Sequence, residues 1–174
     1  MKKTFSFYAI LGLMAFVSFV VANSVTNQDN FWMEAAQAGR AEVIFSDLAL
    51  QRSPNKKVKK LAQMSIKDHS KINEELKTLA SRKNVTLPMD INAKQKASLG
   101  RLTELSDDAF DREFLKTMVK NHEAAVILFQ KQADIGTDAE LRTFAANTLP
   151  RLKAHLEMAK NLSDKLNGNT NTMK

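Results

Sequence analysis

From about residue 29 onward, apolar residues recur every three or four positions, a spacing that predicts helices. Phe31, Ala35, Ala38, Phe45, Leu48 and Ala49 form one stripe between about Asp29 and Arg52. Ser53-Pro54 interrupts it: Ser53 can cap a new helix, and Pro54 suits a first helical position, where its missing N–H costs nothing. The second helix then reaches about Lys83 on Val58, Leu61, Ala62, Ile72, Leu76 and Leu79. Asn84 to Asn92, with Leu87-Pro88, reads as a crossover loop, and a short helix follows from about Ala93 to Leu105.

Ser106-Asp107-Asp108 restarts the chain with a cap and acids near a positive helix end, where Asp111 also fits. This third long helix carries Phe110, Phe114, Met118, Ala125 and Phe129 down to about Ala133. Gly136 ends it, and Thr137-x-x-Glu140 forms a capping-box pattern for the last helix. That helix spans about Asp138 to Leu166 on Leu141, Phe144, Ala145, Leu152, Ala159 and Leu162. Pro150 lies inside it and should remove one backbone hydrogen bond and kink the rod. Four long amphipathic helices joined mostly by short loops predict an all-α, antiparallel four-helix bundle over residues 29–166, with the short extra helix in its crossover. Residues 23–28 read as a polar linker and 167–174 as a disordered polar tail.

The first 22 residues change the picture. Lys2 and Lys3 precede an apolar run from Phe5 to Val21, and Val20-Val21-Ala22 offers a cleavage site. This is a signal-peptide pattern, with an uncleaved N-terminal anchor as the alternative because the run approaches spanning length. Both place the domain outside the cytoplasm, in the periplasm or at the outer membrane. Removing the leader takes away two lysines and no acids, lowering the formal charge from +7 to +5. Such diffuse basicity suits loose attraction to anionic envelope surfaces, and argues for no nucleic-acid partner. Lys56, Lys57, Lys59 and Lys60 crowd the start of the second helix and are the candidate contact; a solvated helix end is the plainer reading. No cysteine is present, so disulfides, thiolate metal sites and Cys nucleophiles are excluded.

Every histidine falls on an apolar stripe. His69 is seven residues after Ala62 and three before Ile72; His122 is four after Met118; His155 is three after Leu152. The first helix has no histidine, but Glu42 holds the equivalent inward place, four after Ala38. At about 1.5 Å of rise per residue these four groups fall within one or two turns of mid-height. Glu42, His69, His122 and His155 are thus candidate ligands for zinc, iron or copper. The alternative is a buried polar network that knits the core with no ion, in a non-catalytic envelope interaction or stress protein. Ile66, Val119 and Leu152 stand three residues before the histidines, so the Glu-x-x-His pairs of di-iron bundles are missing. Met118 and Met158 flank histidines and would favour copper, although methionine is more often core filler. No Ser/His/Asp triad, phosphate-cradling glycine loop or basic-aromatic nucleic-acid pattern stands out.

Several phrases carry a family resemblance: Ala41-Glu42-Val43, Val58-Lys59-Lys60-Leu61-Ala62 leading to Asp68-His69, and Val85-Thr86-Leu87-Pro88. Phe110-Asp111, Asn121-His122-Glu123, Phe144-Ala145 and Leu149-Pro150-x-Leu152-x-x-His155-Leu156 complete them. From about Phe31 to Ala159 the chain resembles the bacterial exported family called domain of unknown function 4142. The resemblance implies a ferritin-like bundle in the cell envelope and supplies no activity. Where that family's pattern has a methionine one turn before the second-helix histidine, Ser65 stands here, with Met64 beside it, which weakens a copper site using that helix.

Overall fold

The computed structural model describes residues 21–168, with side chains from Asn30 onward. Among the described residues the chain is all-helical, with five helices and no strand: α1 (Val21–Arg52), α2 (Lys56–Arg82), α3 (Ala93–Thr103), α4 (Asp107–Ile135) and α5 (Ala139–Gly168). The expected export segment falls almost wholly outside these residues. No described helix is long and apolar enough to cross a membrane.

The four long helices pack in a ring, α1 on α2 and α4, and α5 on α4 and α2, while short α3 lies against α1 and α4. Neighbours run in opposite directions. Phe31 and Trp32 in the first half of α1 share a cluster with Leu76 and Leu79 near the end of α2, whereas Phe45 and Ala49 near the end of α1 share one with Val58 and Leu61.

The core has two separate apolar clusters. One gathers Phe31, Trp32, Leu76, Phe129, Phe144 and Leu152; the other gathers Phe45, Leu61, Phe110, Phe114, Met118 and Ala159. On each long helix a buried polar side chain stands at the changeover: Glu42, His69, His122 and His155, with Ser65 one turn before His69. A polar layer therefore divides the apolar interior at mid-height.

Several local expectations are corrected. Residues 23–28 are helical, not a linker, since no Gly or Pro interrupts them and extending a formed helix is easy once nucleated. Asn55, not Ser53, caps α2, its Oδ1 accepting from Lys57 N at 2.9 Å, so Pro54 lies before the helix. Ser53 Oγ instead accepts from Asn55 N at 3.1 Å and shapes the turn. At α5 the cap is Asp138, whose Oδ1 accepts from Leu141 N at 2.9 Å. Ser106 occupies the α4 cap position without a side-chain cap bond, and Asp107 after it is left-handed at φ 51°. Asp111 is buried instead of standing at an exposed helix start, and burial pushes its carboxyl up. α5 runs on to Gly168, two residues into the expected tail, with helix on both sides of Pro150. The carbonyl that Pro150 cannot serve belongs to Ala146, an exposed position where water can bond it.

Candidate metal centre

His69 on α2, His122 on α4 and His155 on α5 meet at the polar layer because each takes the core-facing position of its helix at the same height. All three are at most 3% exposed. Their ring centroids are 5.3–5.5 Å apart pairwise. One ring nitrogen from each can be chosen so that the three lie within 4.8 Å of one another. Three nitrogens each about 2 Å from one ion lie at most about 4 Å apart, so small ring rotations would bring them into coordination range.

Partners outside the cluster decide which nitrogens carry the proton. His122 Nδ1 lies 2.9 Å from the Met118 carbonyl, which can only accept, so Nδ1 carries the proton and Nε2 the lone pair. His155 Nε2 lies 3.0 Å from Asp68 Oδ2 and donates to it, leaving the lone pair on Nδ1. That Nδ1 is buried with no hydrogen-bond partner. His69 Nε2 faces His122 Nε2 at 3.4 Å. The bare His122 Nε2 accepts there, so His69 holds the Nε2 proton that an ion would displace.

Electrostatics keep the cluster neutral. Burial holds His69 well below the ordinary imidazole range, reinforced by repulsion from His122 and His155. Burial also lowers His122 to about 4, against the Met118 carbonyl bond that favours its charged form. His155 is lowered by burial and by His122, despite its Asp68 partner.

Glu42, expected as a fourth ligand, lies outside the group of three. Its Oε2 is 3.8 Å from His122 Nδ1, the protonated nitrogen turned away from the cluster. Its Oε1 accepts from Asn121 Nδ2 at 3.1 Å, and its Oε2 is buried without a partner. Burial pushes the carboxyl up to about 7, against the lowering effects of Asn121 and His155. At neutral pH the Glu42–His122 contact therefore joins a half-protonated carboxyl to a neutral imidazole and is no ion pair. Helical spacing put Glu42 at the right depth but could not reveal which way its carboxylate turns.

Sequence reasoning missed three participants: Asp68, Asn121 and the Met118 carbonyl. Asp68 and Asn121 each immediately precede a histidine and stand in the phrases that carry the family resemblance, the signals that could have drawn attention to them. Met118 itself packs in the lower apolar cluster, with Met158 against its edge, so the chain's contribution there is a carbonyl oxygen and core volume.

The family pattern described as domain of unknown function 4142 matches residues 20–162. No curated protein sequence matches the chain. Among solved structures, a DUF305 fragment from Deinococcus radiodurans is 16% identical with a TM-score of 0.71, covering 80% of this chain and 96% of that one. CopM in its Cu(II)-bound form is 20% identical with a TM-score of 0.66, over 79% of this chain and 95% of that one. A DUF305 protein from Streptomyces coelicolor, named as a candidate secreted protein, is 12% identical with a TM-score of 0.68, over 79% and 91%. At these identities the likeness is one of fold.

Proposed function

We propose that this protein, which belongs to the family described as domain of unknown function 4142, is an exported ferritin-like four-helix bundle that binds one transition-metal ion between His69, His122 and His155. The observation that carries the reading is His155 Nδ1, an imidazole nitrogen buried without a hydrogen-bond partner on a ring whose centroid lies 5.3 and 5.5 Å from those of His69 and His122. Leaving such a group unsatisfied costs about 1–3 kcal/mol, and a cation there would relieve it. Two of the three tautomers are already set by Asp68 and the Met118 carbonyl, so less ordering remains for binding to do.

Three neutral imidazoles suit copper, zinc or iron. CopM, similar in fold, has copper- and silver-bound forms, which favours copper among them. Buried, hard-to-protonate nitrogens would retain the ion in mildly acidic surroundings, as storage or buffering outside the cytoplasm requires. Elemental analysis of protein purified from the periplasm tests the reading. Stoichiometric copper, zinc or iron in the wild type and its loss in His122→Ala are expected. Clean protein that takes up none of the three at micromolar concentration would sink it.

A second reading has its own observation. The bonds His69–His122 and His155–Asp68 form a network that links α2 to α4 and α5 without any ion. A non-catalytic envelope protein would need only that. Lys56, Lys57, Lys59 and Lys60 at the start of α2 have no ion pair among the described residues and would supply its contact with an anionic envelope surface. Binding to anionic vesicles that disappears in about 0.5 M salt is expected, since such contacts are screened within a few Å there. Salt-insensitive binding would exclude the lysines as the contact.

A further inference from the structure

Two openings lie on either side of Glu42. A cavity of about 20 Å³ adjoins the histidines and is lined by His69, His122, Gly39 and Ala35 among others. That is room for about one water or one ion. A groove of about 760 Å³ opens on the surface between α1, α3 and α4, bordered by Lys94, Arg101 and Lys116. Cavity and groove share four lining residues: Ala38, Glu42, Asn121 and Ala125. Two are alanines, so the partition there is thin. The other two are joined by the 3.1 Å hydrogen bond from Asn121 Nδ2 to Glu42 Oε1.

Resting on the metal reading above, we infer that the Asn121–Glu42 pair is the inner gate through which a cation passes from the groove to the histidines. Glu42 Oε2 is buried and unpartnered, and Glu42 lines both the histidine cavity and the groove. A carboxylate there can take an ion shedding its water and pass it inward. The groove walls do not attract cations by themselves. Arg101 and Lys116 each lie within 4 Å of Glu113 and outweigh it, and the remaining wall charges, Lys94 and Lys120 against Glu34, leave the groove net positive. The pull must come from the floor, where Glu42 is the acid. Asn121 holds that carboxylate in its closed position, and swinging the amide aside joins the two openings. Glu42 is therefore a positioning and transfer group that acts before the histidines close on the ion.

The test is stopped-flow uptake of Cu(II) by the purified wild-type protein, read by quenching of the single tryptophan, Trp32, with release read after adding excess chelator. Glu42→Gln keeps the shape and removes the charge, and should slow uptake about tenfold without hastening release. Asn121→Ala should hasten both uptake and release about tenfold, within the span over which association rates vary among variants of one site. Variants kinetically identical to a wild type that binds Cu(II) would overturn the gate alone. So would a Glu42→Gln variant with unchanged uptake and faster release, the behaviour of an ordinary ligand. Wild-type protein that takes up no Cu(II) would overturn the metal reading and the gate together. Should Asn121→Ala not fold, the near-isosteric Glu42→Gln decides the matter by itself.

Discussion

His155 Nε2 and Asp68 Oδ2 lie 3.0 Å apart, and this bond between α5 and α2 determines which nitrogen of His155 is turned into the protein. Without the carboxylate, the ring is free to take the other tautomer or to turn over, and the lone pair on Nδ1 is no longer held inside. Removing such an outer partner of a metal-bound histidine typically lowers affinity by about 10–100-fold. Asp68→Ala is expected to lose affinity for Cu(II) by that factor, and Asp68→Asn, which keeps an acceptor oxygen, by less. Competition titrations against a chelator of known affinity check this. Equal affinities in all three proteins would show that Asp68 does not orient the ring.

Stability of the metal-free protein should fall on mild acidification. In the unfolded chain the histidines titrate near 6.5, whereas burial holds all three lower in the fold, His122 at about 4. As pH drops through about 6.5 the unfolded state takes up protons that the folded state refuses, and stability is lost progressively toward pH 4. Glu42 works the other way. Raised from 4.5 to about 7, it keeps a proton in the fold that the unfolded chain gives up, so its stabilising contribution is lost as pH rises through 7. Three groups oppose one, and a lower Tm at about pH 5 than at about pH 7.5 is expected. Glu42→Gln removes the counterweight and should make the drop steeper. A flat or inverted profile would contradict the burial of neutral histidines.

Copper should raise the melting temperature, because it can bind the folded cluster and has no such site in the unfolded chain. At a free concentration one hundred times Kd the expected gain is about 2.7 kcal/mol. His69→Ala removes a ligand and should abolish the shift, which differential scanning calorimetry with and without Cu(II) would reveal. An equal shift in that variant would mean that copper binds elsewhere.

Gly39 of α1 faces the amide of Asn73 on α2. A β-carbon at this position of α1 would come within 1.9 Å of Asn73 Oδ1 on α2 and would line the cavity beside the histidines. Gly39→Val should therefore cost about 1–3 kcal/mol by overpacking the α1–α2 seam, read as a lower denaturation midpoint with an unchanged slope. A stabilised Gly39→Val protein would show that Asn73 moves aside freely.

The stripes Phe31–Ala49, Val58–Leu79, Phe110–Phe129 and Leu141–Leu162 were readable because a core-facing helix repeats its apolar residues with the period of its turn. The same periodicity put His69, His122 and His155 inside, and shared height along the rods brought them together. It did not separate Glu42 from the three histidines, since depth and facing come from spacing but the last two torsions of a glutamate come from its neighbours. Nor did it give the tautomers, which depend on an Asp68 from another helix and on a main-chain carbonyl with no signature in side-chain pattern. Helix ends were the least legible. Ser53, Asn55, Thr137 and Asp138 all have side chains able to cap, and only the turn geometry selects Asn55 and Asp138.

Because the polar layer cuts the interior in two, the molecule behaves as a pair of short cores threaded on four common rods. The apolar packing that holds the helices together is interrupted at the floor between the two clusters. An ion held by α2, α4 and α5 at that floor would act as a rivet, making the upper and lower storeys come apart together instead of in turn. Amide exchange of α5 on the two sides of His155 would then merge into a single protection step when the ion is present and divide into two when it is stripped away.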